Sequence, residues 1–312
     1  MTENSQAIAI FCSKLCIGGD VLPLEPKEWG DLSEALRQKG LQPKDILGFT
    51  ADDCIQKLSL SPDYAERLMR LTDRSASLFF ELSEYENMGI NVVTRADEDY
   101  PVKLKKVLGN SCPPLFYYAG ELAILKNPAI GYVGSRGADS ADEKFTVDTV
   151  KKTAAHGYGV VSGGAKGVDS FSEREALSQG AEVTEFLSDS MIKRMKSREA
   201  VRAVQDGLLI VLSVVKPDAP FSAGVAMMRN RYIYAQSEGT VVVRADFGKG
   251  GTWSGAVENL KHGWCKELCW KNTKYKGNTE LIKSGAIPID ESWDGDIQKT
   301  VPPDAPSQLT IF

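Results

Sequence analysis

Two short apolar segments, each followed by a glycine loop, decide the fold: PAIGYVGSRG at residues 128–137 and GYGVVSGGAKGVD at residues 157–169. Between them, apolar residues recur at helical spacing from Phe145 to Ala154 before Gly157, and glycine commonly ends a helix. A strand, a helix and a strand in this order predict a βαβ unit, in which the two strands are parallel neighbours. We therefore expect both loops at one carboxyl edge of the sheet, where open α/β folds bind ligands.

The composition of these loops predicts a phosphate site. Glycine lets the backbone approach a ligand closely, and backbone N–H groups can face an anion. Arg136 and Lys166 add one cation to each loop. A dinucleotide site would need G-x-G-x-x-G and an acid about 20 residues later, whereas the first loop is G-S-R-G and the second strand ends in Ser162-Gly163. A P-loop would need Ser or Thr after its lysine, but Gly167 follows Lys166.

Composition and charge exclude several classes of protein. The 312 residues are 42% hydrophobic and 25% charged with a net charge of −5, which is typical of a globular protein and argues against a nucleic-acid footprint over the whole surface. No apolar run approaches the about 20 residues of a membrane span, and the start MTENSQ lacks the basic residues of a signal peptide. Six cysteines with only two histidines favour reduced thiols over zinc ligands. We expect a cytoplasmic protein with no metal, no cofactor and no membrane contact.

The chain divides into three parts by pattern. Residues 1–88 predict a small helical domain, in which Pro26 begins one helix and Thr50 caps another. It is either a docking module or a helix-hairpin-helix or SAM-like contact. Residues 89–290 alternate strand and helix patterns, including helices at 167–179, 189–206, 222–236 and 252–262, and predict a doubly wound, mostly parallel Rossmann-like α/β sheet. Residues 291–312, which contain Pro302, Pro303 and Pro306, predict an extended tail.

Two more segments of the α/β part carry cations. Arg229-Asn230-Arg231 lies within a predicted helix, where residues two apart do not share a face. One arginine is therefore expected to face the ligand and the other to support the structure. Lys249-Gly250-Gly251-Thr252 lies at a predicted helix start, which is a favourable place for an anion. Trp253 is a candidate for stacking on a base, with core packing as the alternative.

Five motifs in order resemble the DprA/Smf family of bacterial DNA-processing proteins, over residues 95 to 286. They are Tyr100-Pro101 with Pro113-Pro114-Leu115-Phe116-Tyr117 and Gly120, then Gly134-Ser135-Arg136, then Ser162-Gly163-Gly164-Ala165-Lys166-Gly167-Val168-Asp169, then Arg229-Asn230-Arg231, and Gly277-Asn278 with Leu281-Ile282 and Gly285-Ala286. The sequence departs from the family at Glu173, where the pattern usually has histidine. The usual Y-P segment is not found between 187 and 225, and we expect no C-terminal winged helix.

The resemblance implies a non-catalytic protein that binds single-stranded DNA in a basic pocket, as a dimer, and passes it to a RecA-type recombinase during DNA uptake and recombination. Together with the cation-bearing helix start, it implies these phosphate-binding residues: Gly134, Ser135, Arg136, Ser162, Gly163, Gly164, Lys166, Gly167, Arg229, Asn230, Arg231, Lys249, Gly251 and Thr252.

Two other functions use the same phosphate cradle. One is a sensor that binds a free nucleotide. The other is a nucleotide hydrolase that resembles the lysine-decarboxylase-like (LOG) enzymes, with Asp169, Glu173 and Glu258 as the candidate carboxylates. The spacing from Gly250-Gly251-Thr252 to Glu258 differs from the motif of those enzymes.

The last five residues resemble the peptide by which bacterial proteins bind the replicative sliding clamp. They read QLTIF, and the residues expected to contact a partner are Gln308, Leu309, Ile311 and Phe312.

Overall fold

The computed structural model describes residues 1–17 and 21–300. The chain divides into two compact units. The first contains Met1–Ala119 and Ser213–Ala219, and the second contains Gly120–Leu212 and the described residues from Pro220 onward. Each unit is described by itself.

The first unit is mainly helical, with one pair of antiparallel strands, β1 (Asn91–Thr94) and β2 (Leu115–Ala119), in which Asn91 lies opposite Tyr118. The elements in chain order are α1 (Glu3–Cys12), α2 (Pro26–Gln38), α3 (Ala51–Leu58), α4 (Pro62–Asp73), α5 (Ser75–Asn87), β1 (Asn91–Thr94), α6 (Val102–Leu108) and β2 (Leu115–Ala119).

Local signals in the sequence explain where these helices begin. The second helix starts with Pro26, as predicted, since proline has no N–H that would go unpaired there. The Thr50 hydroxyl accepts a hydrogen bond from the Asp53 N–H at 3.2 Å and caps α3, also as predicted. Buried side chains such as Phe11, Trp29 and Leu68 form the core.

The second unit alternates strands and helices. In chain order its elements are β3 (Ala129–Gly134), α7 (Ser140–Ala155), β4 (Gly159–Ser162), α8 (Val168–Ser178), β5 (Val183–Leu187), α9 (Met191–Arg194), α10 (Arg198–Gln205), β6 (Leu209–Ser213), α11 (Ala223–Gln236), β7 (Gly239–Arg244), α12 (Gly250–His262), β8 (Lys266–Trp270), α13 (Lys276–Lys283) and β9 (Ile287–Ile289).

The strand order of this unit is that of a doubly wound fold. The strands of this unit lie in the order β6, β5, β4, β3, β7, β8, β9. The chain starts in the middle at β3, moves outward to β6, and then returns to the other side of β3 at β7. Strand β3 is parallel to both β4 and β7, with Ala129 opposite Gly159. The predicted fold class and the predicted pairing of the two decisive strands are confirmed, and the point where the order reverses is where such sheets bind ligands.

Two details differ from the predicted elements. The single helix predicted over residues 189–206 is wrong, because the Ser197 hydroxyl accepts from the Ala200 N–H and begins a new helix, so that α9 and α10 are separate. The three-residue strand β9 was not predicted, since Pro288 interrupts its pattern. Across the described residues, no helix combines the length and the apolar character needed to cross a membrane.

Candidate nucleic-acid interface

A cavity of about 520 Å³ opens at the carboxyl ends of β3 and β7. It lies where the strand order reverses. Its walls come from the loop after β3, the loop between β4 and α8, helix α11, and the start of α12. The cations in its lining are Arg136, Arg229, Arg244 and Lys249, and the carboxylates are Asp169 and Asp246.

The first glycine loop presents a cation to the cavity. The Ser135 hydroxyl accepts a hydrogen bond from the Gly137 N–H at 3.1 Å and shapes the turn. Arg136 is exposed, and its guanidinium carbon lies 4.8 Å from the centre of the Phe221 ring. Gly134 packs against Val168, and a Cβ at this position would collide with that side chain. Glycine here therefore brings the two loops into direct contact.

The second glycine loop uses its amides inside the protein. The N–H groups of Gly163 and Ala165 donate to Asp169 Oδ2 at 3.2 and 3.3 Å, and the Gly164 N–H donates to Glu173 Oε1 at 3.1 Å. The expectation that these amides face a bound phosphate is therefore wrong, because the protein's own carboxylates already accept their hydrogen bonds. Lys166 is exposed but does not line the cavity.

Three buried carboxylates lie beneath this loop. Burial raises the pKa of Asp169, although Arg229 opposes the shift. Burial and the neighbouring Glu185 raise the pKa of Glu173, and burial also raises the pKa of Glu185. Arg194 is the ion-pair partner of the two glutamates, with its Nε 2.8 Å from Glu185 Oε2 and its Nη2 3.6 Å from Glu173 Oε2. Arg194 therefore holds the two glutamates together below the loop.

The buried arginine of this region is Arg229 of α11. It is only 4% exposed, yet it lines the cavity. Its guanidinium lies against Gly163, where a Cβ would overlap it. Burial lowers its pKa, while the charges of Asp169, Glu185 and Glu173 oppose that shift. Its Nε has no hydrogen-bond partner among the described residues.

The other two residues of the R-N-R motif serve the neighbouring helix. Asn230 Nδ2 donates to the carbonyl oxygen of Gly251 at 3.0 Å, which holds the start of α12 against α11. Arg231 Nη2 lies 3.8 Å from Glu258 Oε1 on α12. The two arginines thus point to different surroundings, as their spacing predicts.

The end of β7 and the start of α12 supply further residues of the cavity wall. Arg244 Nη1 donates to the Gly137 carbonyl oxygen at 3.1 Å and to Asp142 Oδ2 at 3.2 Å. Lys249 is the N-cap residue of α12, and Gly251 and Thr252 of the first turn also line the cavity. Free amides and the positive end of the helix dipole make such a start favourable for an anion.

Comparison with known proteins assigns the chain to a family. The family model for DNA recombination-mediator protein A matches residues 91–298. The chain belongs to this family. It is 27% identical over 186 residues to DNA processing protein DprA of Bacillus subtilis, covering 58% of this chain and 61% of that protein. It is 26% identical over 188 residues to DprA of Streptococcus pneumoniae, covering 60% and 63%. It thus spans about three fifths of the length of these relatives.

Two solved DprA structures share the fold. The crystal structure from Streptococcus pneumoniae aligns with a TM-score of 0.65 at 21% identity, over 86% of this chain and 95% of that one. The structure from Helicobacter pylori aligns with a TM-score of 0.52 at 22% identity, over 64% and 90%, and was described for its mode of binding single-stranded DNA.

Some of the predicted phosphate-binding residues line the cavity, and the others lie outside its lining. Of the predicted phosphate-binding residues, those that line the cavity are Gly134, Ser135, Arg136, Arg229, Asn230, Lys249, Gly251 and Thr252. Those that do not are Ser162, Gly163, Gly164, Lys166, Gly167 and Arg231. The tail residues Gln308, Leu309, Ile311 and Phe312 lie outside the described residues.

The three carboxylates of the hydrolase alternative are not brought together at the cavity. Only Asp169 lines it, while Glu173 is buried beside Arg194 and Glu258 faces Arg231. In the described ranges, no group of three or more His, Cys, Asp or Glu side chains is arranged to hold a metal ion.

Sequence reasoning missed Arg244 and Phe221, which both line the cavity. Arg244 is the last residue of β7, and a charged residue that ends a buried parallel strand at the ligand edge is a usable signal.

Proposed function

We propose that this protein binds single-stranded DNA and receives a backbone phosphate in the cavity at the carboxyl ends of β3 and β7. The family assignment supports a role in DNA processing. The H. pylori relative, whose structure was described for its mode of binding single-stranded DNA, supports a single strand as the ligand.

The buried guanidinium of Arg229 is the observation that carries this proposal. A charge that is 4% exposed is costly unless a partner compensates it. Asp169, Glu185 and Glu173 oppose the lowering of its pKa, but its Nε remains without a partner. A phosphate in the cavity would supply charge-assisted hydrogen bonds to this side chain, for which arginine is well suited.

Exposed cations around the opening would extend the site along a strand. Arg136 and Lys249 lie on different walls and are both exposed. Each cation that meets a phosphate releases counterions, which makes binding weaken as salt rises. The Phe221 ring beside Arg136 is 49% exposed, and such rings are used for stacking in single-strand sites.

The test measures anisotropy of a fluorescent oligo-dT strand across a salt series. We expect Lys249→Ala and Arg136→Ala each to weaken binding and to reduce the salt slope by about 0.7, the value for one single-strand phosphate. Lys261→Ala is the matched control, because this exposed lysine lies in the last turn of the same helix as Lys249, about 18 Å away at 1.5 Å per residue. Equal losses in Lys249→Ala and Lys261→Ala, or no binding by the intact protein at low salt, would reject the proposal.

The proposal extends to partners. The bound strand would pass to a RecA-type recombinase, with a homodimer as the active form, which light scattering with and without the strand would test. Residues 308–312 would bind the replicative sliding clamp. We expect a clamp pulldown to recover the intact chain and to lose the Leu309→Ala/Phe312→Ala variant.

A further inference from the structure

Exposed apolar side chains of the second unit gather at the cavity. Among its described residues, the large apolar side chains that are exposed are Phe221 at 49%, Met227 at 52% and Phe247 at 46%. Phe221 and Met227 line the cavity, and Phe247 directly follows Asp246, which also lines it. Large apolar groups cost free energy in water, so their confinement to one basic rim indicates a ligand with apolar surfaces.

Phe247 is held by an aromatic neighbour and accompanied by a cation. Its ring centre lies 4.9 Å from that of Trp253 at an interplanar angle of 74°, an edge-to-face contact. The ammonium nitrogen of Lys276 lies 4.5 Å from the Phe247 ring centre. Trp253, near the start of α12, thus supports the exposed ring, and Lys276 places a positive charge over that ring.

The position of Lys276 is fixed by the residues that follow it. Asn278 is fully buried, and its Oδ1 accepts from the Ala245 N–H at 2.9 Å. Its Nδ2 donates to the carbonyl oxygens of Val243 at 2.9 Å and Trp270 at 3.0 Å. A Cβ at Gly277 would collide with the Ala245 carbonyl oxygen. The start of α13 is therefore locked against the end of β7, next to the loop that carries Phe247.

We propose that Phe247 and Lys276 form a second nucleotide subsite outside the cavity, in which a base stacks on the Phe247 ring and the adjoining phosphate meets Lys276. This inference rests on the proposed function. A ring that is nearly half exposed on a rigid support, beside a cation, has the two elements of single-strand sites that tolerate any base sequence.

The test compares two strands of equal length, an oligo-dT and an abasic strand that keeps the phosphates but lacks the bases. We expect Phe247→Ala to weaken oligo-dT binding on the order of tenfold, within the range measured for loss of one stacked base, and to leave binding of the abasic strand unchanged. Phe247→Tyr keeps a ring and should bind as the intact protein does. Phe80→Ala is the matched control, because that ring is 69% exposed on α5 of the first unit.

The remaining outcomes separate this inference from the proposed function. If Phe247→Ala binds oligo-dT as tightly as the intact protein, or loses both strands equally, the stacking subsite is rejected while single-strand binding stands. If the intact protein binds neither strand, the proposed function fails, and the subsite fails with it.

Discussion

The guanidinium of Arg229 occupies the space that a side chain at Gly163 would need. The glycine loop after β4 and the R-N-R motif of α11 are separated by about 65 residues of chain, yet each requires the other. Because Gly163 has no side chain, the Arg229 guanidinium fits against it, while the Gly163 N–H donates a hydrogen bond to Asp169.

Gly163→Ala tests this relationship. The added methyl group would push the guanidinium out of its buried position, and we expect a loss of about 1–3 kcal/mol in the free energy of unfolding, as for other overpacked sites. Binding of oligo-dT should fall with it. Gly48→Ala is the control, because no atom lies within 4 Å of a Cβ built there. Chemical denaturation and anisotropy measure the two effects, and an unchanged stability would contradict the placement of Arg229.

Arg194→Ala tests the buried ion pairs below the loop. It would leave Glu173 and Glu185 without their cation, and we expect a loss of about 3–5 kcal/mol in the free energy of unfolding at pH 8. At pH 5 the loss should be smaller, because the raised pKa values of both glutamates make them easier to protonate as the pH falls.

Arg202→Ala is the matched control for Arg194. The Arg202 side chain is 85% exposed and lies 3.6 Å from Asp206, and such surface pairs contribute little. Equal effects of the two substitutions in urea unfolding would show that the buried pairs do not stabilise the fold.

Glu267→Gln tests a buried carboxyl away from the cavity. Burial raises the pKa of Glu267 from 4.5 to about 8. The folded protein therefore holds this proton more tightly than the unfolded chain does. The protonated Glu267 side chain therefore contributes fully to the free energy of unfolding below pH 4.5, and this contribution is lost as the pH rises toward 8.

The neutral glutamine avoids that loss. We expect Glu267→Gln to raise the melting temperature at pH 8.5 relative to the intact protein by more than it does at pH 5. Glu121→Gln, which replaces an exposed acid of the same unit, should show no such pH dependence. If the melting temperatures of the intact protein and of Glu267→Gln differ by the same amount at pH 5 and at pH 8.5, the raised pKa of Glu267 is contradicted.

The sheet was predictable because its signals are local. Apolar segments that end in glycine loops and alternate with helical patterns specify parallel strands, and β3 and β4 pair as expected. The division between α9 and α10 depends on a cap at Ser197, which competes with a continuous helical pattern.

The hydrogen bonds between the glycine loop and the buried carboxylates could not be predicted from residue spacing. Nothing in the order of residues 162–173 tells which carboxylate will fold back onto the loop amides, since that depends on the register of α8 against β4. A glycine loop with a lysine predicts a phosphate cradle in general. Here Asp169 and Glu173 accept the hydrogen bonds of the loop amides. No feature of the sequence predicts this arrangement.

The carboxylate of Asp169 accepts hydrogen bonds from two amides of the loop after β4 and so holds that loop from within the protein. If a single strand binds as proposed, ordering on binding would fall mainly on that strand, whose backbone would lose freedom as it follows the held loop. We therefore expect affinity to depend on the stiffness of the nucleic acid. A duplex cannot bend its separate strands around the cavity rim and should bind more weakly than a single strand.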